Sequence, residues 1–88
     1  MSGHEHVGRI VIVDTATRWV YLGTLAEVTD EYVVLEDADA FDTGETTLSK
    51  GEYLRMVKND GIVVNRRRIS VFRSQAVSIS LFDDVVDF

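Results

Sequence analysis

Four arginines, Arg66, Arg67, Arg68 and Arg73, fall within one short stretch of this 88-residue chain. A guanidinium fork matches phosphate oxygens and base edges, so the run has the chemistry of a nucleic-acid contact; a run of charge also suits a solvated face or a partner for nearby carboxylates. Tyr32 offers a ring face on which any base stacks, or an aromatic to seal a barrel edge. The acidic residues cluster at Asp37, Asp39, Asp42 and Glu45 and again at Asp83, Asp84 and Asp87. Asp37, Asp39 and Asp42 begin like a calcium loop, but Phe41 at the fifth position and Asp42 at the sixth, where glycine is required, break the pattern. His4 and His6 sit in a stretch with little to anchor it, so no metal site is expected there either. Catalysis has no visible machinery. There is no cysteine nucleophile, phosphate loop, His-Glu-x-x-His pair or glycine-serine elbow, and both histidines precede the body of the chain. The expectation is a protein that is not an enzyme and needs no cofactor.

Composition narrows the class further. A domain of this size buries only about two-thirds of its unfolded surface, and without cysteines no disulfide or thiolate metal site supplements the core. Oligomerisation is the remaining route to stability. The formal net charge of −6 argues against a general nucleic-acid coat, because phosphate binding depends on basic side chains that release counterions. The grouped arginines still permit a local cationic face on an acidic body. No apolar run approaches the ~20 residues of a membrane span, and the first residues lack the basic and apolar regions of a secretory signal. A soluble, cytoplasmic chain is therefore expected, with no membrane partner.

The elements that must position these groups read mainly as strands. Val7 to Val13, Trp19 to Leu25 and Tyr32 to Leu35 are rich in β-branched and aromatic residues, with polar turn material between them. Both faces of Trp19-Val20-Tyr21-Leu22-Gly23-Thr24-Leu25 are apolar, as in a strongly curved strand shared by two sides of a barrel, and Gly23 marks a bend or a close backbone approach. Ser49-Lys50-Gly51-Glu52 has capping-box spacing, and Tyr53, Leu54, Met56 and Val57 follow at helical spacing, predicting a short helix over about 50–58. The alternative is a hairpin of Glu52–Lys58 and Ile62–Arg68 turning at Asn59-Asp60-Gly61. Beyond it, Arg67, Ile69, Val71 and Arg73 share one strand face and Arg68, Ser70 and Phe72 the other. Val77, Ile79 and Leu81 alternate with Ser78 and Ser80, a strand half in a core. The chain has no proline with which to blunt an edge strand.

Two separated segments carry a family resemblance. Tyr21-Leu22-Gly23-Thr24-Leu25 running to Leu35-Glu36-Asp37-Ala38, and Phe72-Arg73-Ser74 followed by Val77 and Ile79, resemble the two halves of the Sm/LSm motif. The resemblance implies a mostly β fold, a small five-stranded, strongly bent antiparallel barrel of the SH3-like or OB-like class. It places the domain at 7–82, with a variable insertion at 40–65 between the third and fourth strands, a disordered tail at 1–6 and an acidic tail at 83–88. It further implies a homo-oligomeric ring of about five to seven chains, with Phe72, Val77, Ile79 and Leu81 at the subunit interface. Asp30, Tyr32, Arg73 and Ser74 then fall at single-stranded RNA-binding positions. The chain departs from the family at three places. No asparagine follows Asp30-Glu31-Tyr32 to read a uracil edge, Ser74 replaces a glycine, and there is no room for the family's N-terminal helix. A second reading is a ring or barrel that serves as a structural or protein-interaction module without RNA.

Overall fold

The structure, a computed structural model, describes residues 5–86. Its strands are β1 (Ile10–Thr15), β2 (Trp19–Val28), β3 (Tyr32–Asp42), β4 (Arg66–Phe72) and β5 (Ala76–Leu81), with one helix, α1 (Lys50–Asp60), between β3 and β4. All five strands join in one antiparallel sheet in the order β4-β3-β2-β1-β5. β1 starts three residues later than its apolar run suggested, because Gly8 (φ 87°) turns the chain and gives its amide to the Leu25 carbonyl at 2.8 Å. β3 runs seven residues past Leu35, through Asp37, Asp39 and Asp42. Aspartate is a poor strand residue, but pairing with β2 from Trp19↔Asp42 to Val28↔Val33 overrides that local preference.

The sheet bends where β2 and β3 slip against each other. Leu22 pairs with Asp39 but Thr24 with Glu36, so Gly23 faces two residues, Asp37 and Ala38, in a β-bulge. Asp37 takes positive φ (48°) to make it. A Cβ on Gly23 would lie 2.9 Å from Ala38 Cβ and 3.0 Å from the Glu36 carbonyl oxygen, so the close backbone approach requires glycine. A second slip at Ala26 returns the register three residues later.

The bend gives β1 and β2 two buried faces. Val11, Val13 and Leu25 join Val33, Leu35, Ala38 and Val71 inside the curve, with Ile69, Ala76, Ile79 and Leu81 packed on them. On the outer face Ile12, Val20 and Leu22 meet Tyr53 and Val57 of α1. The apolar residues on both sides of the Trp19–Leu25 run thus serve two cores. α1 forms as its capping box requires: the Ser49 hydroxyl accepts from the Glu52 amide at 3.1 Å, and the Glu52 carboxylate accepts from the Ser49 amide at 3.0 Å. Asn59-Asp60-Gly61 ends this helix rather than turning a hairpin, with the Gly61 amide on the Val57 carbonyl. Tyr53 and Val57, four residues apart, share the buried face.

β4 keeps the expected alternation, with Ile69 and Val71 inward and Ser70 and Phe72 exposed. β5 does not keep it throughout. Its pairing with β1 passes from Asp14↔Ser78 to Thr15↔Ala76, which leaves Val77 as an extra residue, 69% exposed, while Ala76 takes the place against the core. A 3-10 turn, Arg73–Gln75, links β4 to β5, and these two strands end the sheet order, each paired on one side only among the described residues. The barrel is therefore bent but open.

Outside the strands, the insertion between β3 and β4 spans 43–65, the additional length of β3 having taken up 40–42. Where an acidic tail was expected from residue 83, Phe82 and Val85 pack against the α1 cluster, and the Lys58 ammonium lies 4.6 Å from the Phe82 ring centroid. Residues 87 and 88 and His4 lie outside the described residues, and residues 5 and 6 form a short 3-10 turn. Among the described residues no helix is long and apolar enough to cross a membrane.

Candidate nucleic-acid interface

The β2–β3 turn and the β4–β5 turn meet at one end of the sheet. Thr29 shapes the first: its hydroxyl accepts from the amides of Glu31 and Tyr32 at 3.2 and 2.9 Å, as threonine does in turns of this kind. The second is tied to it by Arg73. Its backbone amide donates to the Glu31 carbonyl at 2.8 Å and its Nη1 to the Thr29 carbonyl at 2.9 Å. Tyr32 pairs directly with Phe72 across β3 and β4, and their rings lie 5.4 Å apart at 36°. Asp30 and Ser74 are exposed at the tips of the two turns, and Tyr32 and Arg73 are half-buried beside them. The four positions that the resemblance assigned to an RNA site, Asp30, Tyr32, Arg73 and Ser74, therefore lie together, although about forty residues separate the two pairs. The guanidinium uses one N–H on Thr29, and a fork with five donors retains others.

The remaining arginines divide by function. Arg68, opposite Glu36 in the β3–β4 pairing, makes ion pairs at 2.8 Å with Glu36 and 3.5 Å with Glu27, so it serves the sheet's outer surface. Arg66 gives Nη1 to the Asn65 carbonyl. Its positive charge opposes the effect of burial on Tyr21, whose phenol burial pushes above the ordinary tyrosine range. Asp42 is engaged elsewhere, its Oδ1 3.0 Å from Arg18 Nε and 2.8 Å from the Gly44 amide. Of the expected interface residues, Phe72 and Val77 are exposed at 60% and 69%, whereas Ile79 and Leu81 are half-buried against the inner core.

One feature escaped the sequence reading. A cavity of about 300 Å³ opens near the C-terminal end of β4 and the start of β5, lined by Thr15, Thr17, Trp19, Tyr21, Ser70, Val71, Phe72 and Gln75. Trp19 and Tyr21 lie almost parallel along it, their ring centroids 6.3 Å apart at 13°. The apolar pattern marked both residues as strand, but only the bend brings β2 opposite the end of β4.

No family model matches the sequence, and no curated protein matches it. Among solved structures, an Sm protein of Pyrococcus abyssii, determined in complex with a uridine heptamer, superposes with a TM-score of 0.59 at 20% identity over 88% of this chain and 87% of that one. The fold is therefore Sm-like, a five-stranded, strongly bent antiparallel sheet in a chain that shares only 20% of its residues with that neighbour.

Proposed function

We propose that this chain assembles into a homo-oligomeric ring of about five to seven copies and binds single-stranded RNA at the end carrying Asp30, Tyr32, Arg73 and Ser74. The reading is of a cytoplasmic binding protein rather than an enzyme. The observation that carries it is the junction of the two turns through Arg73, which places a cationic fork beside an aromatic face on an Sm-like scaffold. Edge pairing of β4 in one copy with β5 in the next would satisfy the two strand edges left open at the ends of the sheet. The solved neighbour's uridine ligand supports RNA as the class of partner. Without an asparagine after Tyr32, recognition rests on stacking and phosphate contact rather than on a uracil edge.

Fluorescence anisotropy with short uridine- and adenosine-rich RNAs tests this. Saturable binding that weakens with added salt is expected, since an acidic protein holds RNA only through a local cationic site. A ring-forming protein without saturable binding at low salt would instead be a structural or protein-interaction module. The net charge of −6 and the commitment of Arg68 to Glu36 and Glu27 favour that second reading.

A further inference from the structure

Val77 is exposed for a specific reason. The β1–β5 pairing slips by one residue, and the slip removes Val77 from the alternation that seats Ile79 and Leu81 on the core. Ala76 fills the inward position, and Val77 is left 69% exposed at the start of an edge strand. The end of β4 borders the cavity of about 300 Å³, whose walls include Trp19, Tyr21, Val71 and Phe72 and, beside the start of β5, Thr15 and Gln75. Phe72 is itself 60% exposed. An apolar side chain displaced outward on β5 and an aromatic-lined hollow bordered by the end of β4 are complementary features on a single chain.

We propose that the cavity is a socket for Val77 of a second copy, and that the β5 bulge acts as the key that sets the register between subunits. The inference rests on the ring reading above and adds to it which residue enters which site. Antiparallel pairing of β5 of one copy with β4 of the next sets the start of one strand against the end of the other, so Ala76 and Val77 arrive beside Val71 and Phe72. Those two β4 residues border the hollow. Without a bulge, Val77 would turn toward its own core and the socket would face only Ser78 and Ser80 of the incoming edge. A one-residue slip of the pairing would likewise withdraw Val77, so filling the socket selects one register.

The chain is suited to the test, because Trp19 is its only tryptophan and it has no cysteine. Diluting the wild type across its assembly range should shift Trp19 emission to the red as the socket opens to water. Val77→Asp should keep the wild-type circular dichroism spectrum, since the side chain is exposed, yet weaken assembly at least about tenfold, because a carboxylate would have to enter an aromatic site. Mixing Val77→Cys with Ser70→Cys protein under mild oxidation should give the mixed disulfide in excess over either variant alone. A ring that forms with unchanged Trp19 emission, tolerates Val77→Asp and gives no mixed disulfide would overturn the socket and leave the ring standing. A protein that stays monomeric at every concentration would remove both. Trp19 emission that responds to a uridine oligomer but not to assembly would assign the hollow to a base and overturn the inference.

Discussion

Tyr53 connects the inserted helix to the sheet through one ring and one hydroxyl. The ring stacks on Phe41 with centroids 3.9 Å apart at 11°, and the hydroxyl donates to Asp39 Oδ2 at 2.5 Å. Asn65 holds the other carboxylate oxygen at 2.8 Å and exchanges hydrogen bonds with the Ala40 backbone. Burial, with the Asp39 carboxylate next to it, raises the Tyr53 phenol far above the ordinary tyrosine value near 10. Above that pH the unfolded chain releases a proton that the native state retains, so the stabilisation present below pH ~10 is lost as pH rises. Tyr53→Phe should cost about 1.5–3 kcal/mol at neutral pH, the range for a hydrogen bond to a charged acceptor, and should flatten the loss above pH ~10. Urea titrations of both proteins at neutral and alkaline pH would check this, and parallel pH slopes would contradict it. At the opposite end of the sheet, Arg73→Ala should weaken RNA binding by about 1–3 kcal/mol, and Tyr32→Ala by a similar amount through lost stacking. Because Arg73 also ties down the Thr29 carbonyl, anisotropy should be paired with a melting curve that separates lost contact from a loosened turn.

At the scale of elements, the curved β2–β3 pair and α1 make distinct demands on the sequence. Gly23→Val would force a branched side chain into atoms of β3 about 3 Å away, much of it backbone that cannot move without undoing the bulge. A fall in melting temperature of several degrees is expected, and a calorimetric midpoint equal to the wild type would show that the two strands can part freely there. α1 depends on its cap. Ser49→Ala removes the oxygen that receives the Glu52 amide and should cost about 0.5–2 kcal/mol. Since Tyr53 and Val57 cover Ile12, Val20 and Leu22, that loss should appear as global destabilisation in a denaturant titration rather than as fraying of one helix. The helix occupies an outer face that would otherwise expose apolar residues of β1 and β2.

At the scale of the whole molecule, the open sheet argues for assembly. Among the described residues its two end strands are each paired on one edge only, its core is limited by a chain of 88 residues, and no cysteine supplements it. Light scattering at micromolar concentration should therefore give a closed oligomer of about five to seven chains. A monomeric mass would contradict the ring. Its charge is distributed unevenly, with acidic residues on β3 and in the turn after β5, and arginines on β4 and at the Arg73 turn. If RNA binds at that turn, raising salt should weaken binding while the oligomer persists, because edge pairing is made of backbone hydrogen bonds and apolar contacts that salt does not screen.

Local chemistry in the sequence determined the cap at Ser49, with the helix favoured over a hairpin that the structure excludes, the glycine at the bend, the β4 alternation and the resemblance that placed Asp30, Tyr32, Arg73 and Ser74 together. Each depends on a short-range rule: Ser49 and Glu52 lie within one helical turn, and Gly23 interrupts a strand of mostly large side chains. Three features were decided only by tertiary pairing. β3 extends to Asp42 because β2 offers it a partner, although its aspartates disfavour a strand. Val77 faces outward because the register with β1 slips by one residue, a property of two strands sixty residues apart that alternation within β5 cannot reveal. The Trp19, Tyr21 and Phe72 hollow exists because bending brings β2 opposite the end of β4, and no spacing along the chain encodes that approach. Periodicity reports which side of its own strand a residue occupies. Which other strand it meets is decided by bulges and long-range packing.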